Sequence, residues 1–484
     1  MGLLKEVIAN LPRLPNRQER LANKAESPIT ICRRLSWKQW FYFFVGFAAW
    51  LMDAFDFFSA SLTLVRLSEQ FGKDVEQITT SITLTLLFRS AGAFAFGIIT
   101  DRYGRRWPLA FNLLFVSVLS LATSFVNTFQ QFLAVRSLFG IMMGGIYGMA
   151  AATALENMPS EARGLFSGIL QQGYAAGYLV AASVNLTLVS DTDNWRSIFY
   201  LGSGLSFLVA ILRMCCPESE VFLRAREEAK KNPDPEGRSA STVYLHSLKT
   251  ALRLHWGRFI FAVLLMTGFN FFSHGSQDLY PTYAQISKGM TRNQSSILTI
   301  IGNCGAIVGG SVAGWLSQFL GRRLTIILMA LWAGAFIPLW ILPTSFSGLA
   351  AGAFFLQIGV QGAWGVIPIY LSEISPPAFR AIFTGLTYQL GNMVSSASSQ
   401  IEAAAGRAHQ IRNRDGRMVA NYAFVQAVLI GTVAGYIIIM ISLGQEFRGR
   451  KFEEEPTAIV NNMGGENMSD QEKDQITALE KDKA

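Results

Sequence analysis

Six ionisable side chains, Asp53, Asp56, Arg89, Arg136, His274 and Asp278, stand inside runs of sequence otherwise made of apolar and small residues. A charge at the centre of a membrane helix costs on the order of 2.5–3.5 kcal/mol even by the mildest scales, so such residues face a polar interior and mark functional sites. A guanidinium offers a planar fork of N–H donors that grips a carboxylate through two hydrogen bonds, a geometry lysine lacks. A buried carboxyl or imidazole can hold a proton in one state and release it in another as neighbouring charges change. Together these groups suit the binding of an anion linked to that of a proton: Arg89 as anchor, and an acid of the Asp53/Asp56 pair, or His274 with Asp278, as proton carrier. The competing reading of Arg89 is a structural ion pair with Asp53 or Asp56.

Helical geometry places Arg89 near the midplane and Asp53 at the depth of its repeat mate Asn270, with Arg136 nearer the outer end of its span. Arg89 precedes Gly97 by eight residues, about 12 Å at 1.5 Å per residue, and Asp53 lies about 18 Å into its own span. In the stretch Asn270-Phe271-Phe272-Ser273-His274-Gly275-Ser276-Gln277-Asp278, residues Asn270, His274 and Gln277 share one helical face, with Asp278 at its edge. Such a polar stripe on a membrane helix points to binding. Pro281 should kink or end that helix. Gln172 and Gln389 each stand well inside a later span and can hydrogen-bond a substrate from opposite sides.

The elements that position these residues are long apolar segments. The chain of 484 residues is 51% hydrophobic and only 15% charged, and its apolar residues come in runs of about twenty, the length that crosses a bilayer core. Twelve spans are expected, near 41–65, 78–98, 107–126, 131–155, 164–188 and 196–216, then 258–285, 294–318, 324–343, 348–371, 380–402 and 420–443. The implied organisation is a cytoplasmic segment 1–40, a six-helix bundle 41–216, a linker 217–257, a second six-helix bundle 258–446 and a disordered acidic tail 447–484. Arg33, Arg34 and Lys38, then Arg102, Arg105 and Arg106, then Arg322 and Arg323, and finally Arg448, Arg450 and Lys451 put both ends in the cytoplasm by the positive-inside rule. Only Arg407, Arg412, Arg414 and Arg417 fall in an outer loop against that bias. The net charge of +8 is explained by these short loops, so no nucleic-acid partner is expected. The N-terminus lacks the pattern of a cleaved signal peptide, and the four cysteines have no disulfide or zinc spacing.

The halves repeat one another. Gly97-Ile98-Ile99-Thr100-Asp101-Arg102-Tyr103-Gly104-Arg105-Arg106 recurs as Gly314-Trp315-Leu316-Ser317-Gln318-Phe319-Leu320-Gly321-Arg322-Arg323, an offset of 321 − 104 = 217. Glu156 and Glu373, Arg163 and Arg380, Gln172 and Gln389, and Asp53 and Asn270 are related by the same 217. Repeats of this kind meet at a midplane site, and transport proceeds by rocking one half against the other. The G-x-x-x-D-R-x-G-R-R run, its degenerate copy and the Arg136–Gly164 stretch resemble the major facilitator superfamily along the whole chain. That resemblance implies an all-α membrane protein of twelve transmembrane helices in two pseudo-symmetric six-helix bundles, a transporter and not an enzyme. It also implies a cytoplasmic gate around Asp101, Arg102, Arg105 and Arg106, a weaker second gate where Gln318 replaces the acid, and ion pairs Glu156 with Arg163 and Glu373 with Arg380 at cytoplasmic helix ends. Arg136 resembles the family's fourth-helix arginine that tunes proton coupling, and Gln389 its eleventh-helix glutamine.

The segment N-x-x-S-H-x-S-Q-D-x-x-x-T, filled by Asn270, Ser273, His274, Ser276, Gln277, Asp278 and Thr282, is similar to the signature of the fungal lactate/pyruvate:proton symporters, a branch near the sialate:proton symporters. This resemblance implies proton-driven import of short carboxylates such as lactate, pyruvate or acetate by a multi-pass monomer of the plasma membrane, with no cofactor or metal. Its partners would be the carboxylate, protons and the bilayer. Substrate contacts then fall to Arg89, Asn270, His274, Gln277, Gln389 and Gln172, and proton coupling to Asp53, Asp56, Asp278 and Arg136. Three alternatives remain. A dicarboxylate would call on Arg136 as a second cation. Pro217-Glu218-Ser219 resembles a sugar-porter motif, although the paired seventh-helix glutamines of those carriers are missing. A carboxylate sensor that binds without transporting would share the fold.

Overall fold

The computed structural model describes residues 27–155, 158–189, 194–218, 253–375, 380–412 and 418–446, with positions 13, 222, 223, 227 and 249. Most of the expected linker and all of the segments 1–12 and 447–484 lie outside the described residues, as do Arg414, Arg417, Arg448, Arg450 and Lys451.

Among the described residues, ten helical segments are long and apolar enough to cross a membrane. A short helix, α1 (Pro28–Arg34), precedes α2 (Trp37–Phe71), α3 (Val75–Tyr103), α4 (Arg106–Phe125) and α5 (Phe129–Leu155). The fifth span is interrupted: α6 (Ser160–Gln171) and α7 (Gly173–Val184) run into one π-helical turn, Asn185–Val189. After α8 (Arg196–Cys215), the seventh span consists of α9 (Trp256–Gln277) and α10 (Tyr280–Ile286), broken at Asp278-Leu279 just before Pro281. Then follow α11 (Arg292–Leu320), α12 (Arg322–Ile341), α13 (Phe346–Ile374), a second interrupted span of α14 (Arg380–Ser395) and α15 (Ser398–Ala408), a hairpin of β1 (Gln410–Arg412) and β2 (Met418–Ala420), and α16 (Tyr422–Leu443). Counting the two interrupted spans, twelve segments cross.

Several helices run past their expected ends. The first span continues to Phe71 because Arg66 is buried and Gly72, at φ 58°, supplies the left-handed cap that stops the helix. A charged residue near a helix end looks like a boundary in sequence, yet the turn chemistry lies six residues further on.

Local stop and start signals recur with the repeat. The positive-φ glycines among the described residues are Gly72, Gly104, Gly289 and Gly321, two pairs with 289 − 72 = 217 and 321 − 104 = 217. Asp74 N–H donates to Gln77 Oε1 at 3.3 Å, and Thr291 N–H to Gln294 Oε1 at 3.0 Å, again 217 apart. Tertiary contacts obey the same register. A Cβ on Gly92 would strike the carbonyl oxygen of Ile141, and one on Gly309 that of Ile358, with 309 − 92 = 217 and 358 − 141 = 217. Lipid supplies no hydrophobic drive between helices, so small residues that let backbones touch become the packing determinant of α3 on α5 and of α11 on α13.

Lipid-facing surface is equally readable. Along α4, Trp107, Phe111, Phe115, Val118, Leu121 and Phe125 are exposed at steps of three and four residues, whereas Asn112, Ser117 and Ser120 are buried. The halves meet where α6 and α7 pack on α11, and where α3 packs on α14 and α15.

Candidate functional site

Where the halves meet, α2 carries Trp50 and Asp53, α3 carries Arg89, α7 carries Tyr174 and Tyr178, α9 carries Asn270 and His274, and α14 carries Tyr388, Gln389 and Asn392. Arg89 Nη2 donates to Asp53 Oδ2 at 2.9 Å, and both side chains are fully buried. Arg89 Nε and Nη1 and Asp53 Oδ1 have no hydrogen-bond partner among the described residues. The two readings of Arg89 therefore describe one arrangement: an ion pair that uses a single donor group and leaves one two-donor edge of the guanidinium open.

An aromatic wall encloses this pair. Trp50 lies 4.8 Å from Tyr147, 5.3 Å from Tyr174 and 6.4 Å from Tyr388, centroid to centroid. Tyr147 stacks on Tyr388 at 4.8 Å, and Trp364 meets Tyr388 edge-on at 5.8 Å, so the wall joins the two halves. Trp50 Nε1 also lacks a partner among the described residues.

In the second half, one hydrogen-bonded file runs toward the same interface. Ser399 Oγ donates to Asp278 Oδ2 at 2.9 Å; Asp278 faces His274 Nδ1 at 3.1 Å; His274 Nε2 faces Asn392 Oδ1 at 3.1 Å; Asn392 Nδ2 donates to Gln389 Oε1 at 3.2 Å. Gln389 Nε2 is left without a partner among the described residues, while the backbone carbonyl of Gln389 accepts from Ser90 Oγ of α3 at 2.7 Å. The proton count of this file is informative. Both imidazole nitrogens face oxygen acceptors, yet a neutral imidazole has only one N–H. An imidazolium beside a carboxylate, or a neutral imidazole beside a protonated Asp278, would satisfy both contacts.

The other sequence candidates separate. Asp56 accepts from Ser120 Oγ at 2.9 Å and Ser206 Oγ at 3.0 Å, inside the first half between α2, α4 and α8. Arg136 lies over the Phe139 ring at 4.3 Å and donates to the Asp56 carbonyl at 3.5 Å, also within the first half. Gln277 Nε2 donates to Gln357 Oε1 of α13 at 3.1 Å, and its backbone carbonyl accepts from Tyr178 O–H at 3.0 Å across the interface. Asn270 Nδ2 bonds the Met266 carbonyl at 2.8 Å and reaches the Tyr388 carbonyl at 3.5 Å. Gln172 abuts Gly310 of the other half.

At the helix ends that carry the repeated Gly-Arg-Arg run, Glu218 accepts from the backbone N–H of Arg105 at 2.9 Å and of Arg106 at 3.0 Å, capping α4, while Arg106 bonds the Met214 carbonyl. The mirror arrangement has Glu446 accepting from Arg322 N–H at 2.6 Å and Arg323 bonding the Ile441 carbonyl at 2.9 Å. Glu373 pairs with Arg322 at 3.1 Å. The side chains of Asp101, Arg102, Glu156, Arg163 and Arg380 lie outside the described residues.

Sequence reading missed several members. Trp50, Tyr147, Tyr174 and Tyr388 merge with apolar runs, and no periodicity sets them apart. Asn392 follows Gln389 by three residues, which puts it on the same helical face, a signal that was available. Glu402, fully buried on α15 and bonded to Ser398 Oγ and Gln426 Nε2 at 3.2 Å each, was passed over because the span was expected to end there.

At the end of the molecule opposite the Gly-Arg-Arg runs the halves are tied by Arg292 to Glu69 at 2.7 Å, Arg407 to Asp74 at 2.8 Å and Asn185 Nδ2 to Ser296 Oγ at 2.9 Å. Asp53, Arg89 and His274 at the centre are buried.

Comparison with known proteins agrees with this architecture. The profile of the Major Facilitator Superfamily matches residues 40–399. The carboxylic acid transporter protein homologue of Saccharomyces cerevisiae is 34% identical over 433 residues, covering 87% of this chain and 70% of that one. The sialic acid transporter NanX of Escherichia coli is 26% identical over 354 residues, 71% of this chain and 82% of that protein, and the cis,cis-muconate transport protein of Acinetobacter baylyi 24% over 360 residues, 74% and 85%. The solved structure of the E. coli xylose transporter XylE superposes with a TM-score of 0.66 at 17% identity, covering 86% of this chain and all of that one, a likeness of fold. A twelve-helix chain with a 217-residue structural repeat, matched by one family profile over most of its length, belongs to the Major Facilitator Superfamily and is a membrane transporter, not an enzyme.

Proposed function

We propose that this transporter imports short monocarboxylates, lactate and pyruvate among them, together with protons, by alternating access. One observation carries the anion reading: a fully buried guanidinium at the interface of the halves that keeps an open two-donor edge beside its single bond to Asp53. An edge of that shape is complementary to a carboxylate. The similarity to the yeast carboxylic acid transporter homologue and to the muconate carrier supports an organic acid as cargo. A dicarboxylate would need a second cation at the centre, and the engagement of Arg136 with Asp56 and Phe139 inside the first half favours a single carboxylate.

The coupling proton resides on His274 with Asp278, with Asp53 as a second acid that competes with substrate for Arg89. A carboxylate arriving at Arg89 weakens the hold on Asp53, which links the two cargoes. Rocking about the α6/α7–α11 and α3–α14 contacts then exposes the loaded centre to the cytoplasm. In proteoliposomes given an inward-directed proton gradient, labelled lactate should accumulate above its external concentration and leave when a protonophore is added. Accumulation indifferent to the protonophore would remove proton coupling; uptake of hexose without lactate would remove the carboxylate reading.

A further inference from the structure

We infer that Asn392 and Gln389 form a two-amide relay that converts the protonation state of His274 into the affinity of the central site for a carboxylate. The inference rests on the proton-symport reading above.

The relay follows from donor and acceptor polarity along the file. As the structure stands, His274 presents N–H at Nε2, Asn392 accepts it through Oδ1, and the opposite side of the same amide donates to Gln389 Oε1. Gln389 has its carbonyl occupied and its Nε2 unpartnered among the described residues, at the interface where Ser90 of α3, next to Arg89, bonds its backbone. A proton on the imidazole is thereby read out, two amides away, as an N–H donor without a partner among the described residues, on the helix that meets α3 at the interface of the halves.

Removal of that proton reverses each polarity. Asp278 fixes the Nδ1–H tautomer, so the proton leaves from Nε2 to water, and Nε2 becomes a lone pair facing an oxygen. The Asn392 amide then turns about its terminal torsion to donate Nδ2–H to His274. Its Oδ1 now faces Gln389, which turns in the same sense to donate Nε2–H. The net change is one proton lost from the imidazolium, with the bonds of Asn392 to His274 and Gln389 re-formed, its contact with the Tyr388 hydroxyl reversed from donor to acceptor, and the outer end of Gln389 switched from N–H to carbonyl oxygen. A carboxylate is attracted by the first and repelled by the second. Terminal amide torsions are broad and roughly two-fold, so the turn costs little.

Other titratable groups around the file are Asp278 on α9 itself, Glu402 on α15, Tyr174 and Tyr178 on α7, and Tyr388 on α14; Phe57 of α2 closes the remaining side, 5.5 Å from the imidazole. Among the described residues none of these neighbours can take the place of Asn392 between His274 Nε2 and Gln389, since Asn392 makes the bond to each. Asn392 is a positioning residue: it acts on substrate only through Gln389.

The test is lactate binding to the purified full chain in nanodiscs by titration calorimetry at pH 5.5, 6.5 and 7.5, in buffers of different ionisation enthalpy so that protons taken up are counted. Wild type should bind more tightly as pH falls, by about 10- to 100-fold across the range, the worth of gaining one charge-assisted hydrogen bond. Asn392→Ala and Gln389→Met should bind weakly and lose most of the pH slope, keeping only the share that Asp53 contributes at Arg89, because Arg89 and Asp53 remain while the readout is cut. A structural role would weaken binding at every pH and leave the slope. Retention of the wild-type slope in either variant overturns the relay alone, and so does loss of all binding in both, since Arg89 should still hold lactate weakly. A wild type whose binding takes up no proton overturns the symport reading itself.

Discussion

Replacement of Arg89 by lysine isolates geometry from charge. The positive charge stays opposite Asp53, so no lone buried carboxylate is created, which by itself would cost about 3–5 kcal/mol. Arg89 Nη2 gives one N–H to Asp53 at 2.9 Å, and its second N–H, with that of Nη1 or Nε, makes the two-donor edge for the substrate. A lysine ammonium engaged with Asp53 can offer the substrate one donor in place of two. Each charge-assisted hydrogen bond contributes about 1.5–3 kcal/mol, so Arg89→Lys should weaken lactate binding by about 10- to 150-fold and abolish uptake at concentrations that saturate wild type. Binding measured in nanodiscs, alongside uptake in vesicles containing equal amounts of folded protein, would show it. A dissociation constant within about twofold of wild type would refute the account, because the fork would then have no part in holding the anion.

Two further outcomes follow from the same geometry. Asp56→Asn should leave the proton-to-lactate ratio of the vesicle assay unchanged while lowering thermal stability, since Asp56 is held by Ser120 and Ser206 away from the interface and an amide cannot accept from both as a carboxylate does. Gly309→Val should abolish accumulation of folded protein, because its side chain would meet the backbone of Ile358, whereas Gly148→Ala on α5, with open space around it, should melt within about 0.5 kcal/mol of wild type, the usual range for a substitution away from packed features.

The proposed relay separates two classes of mutation. Residues that touch substrate change affinity at all pH values, whereas residues along the file change how affinity depends on pH. The buried Glu402, bonded to Ser398 next to the Ser399 that bonds Asp278, extends the polar region of the second half toward the mouth where Arg292 meets Glu69. That mouth is held shut by pairs between the halves whose exposure leaves each worth about 0–1 kcal/mol, weak enough to open without a large input.

The sequence by itself determined the number of spans, the repeat and most of the intramembrane ionisable residues, Arg66 and Glu402 being exceptions. Apolar length, a fixed offset of 217 and the cost of charge in hydrocarbon are properties of single segments or of the chain read against itself. It also placed Asp53 and Arg89 well inside their spans, because rise per residue converts directly to depth. Which way each side chain turns was decided only by tertiary packing. Asp53 and Asp56 are three residues apart on one helix, yet one meets Arg89 at the interface and the other is held by two serines within its own half. Depth is a one-dimensional quantity and survives in sequence; azimuth depends on which helix lies against which face, and that is set by close approaches such as Gly309 on Ile358 between segments far apart in the chain. The aromatic wall and the polarity of the amide file belong to the same class, since each exists only once α2, α5, α7, α9 and α14 have been brought together.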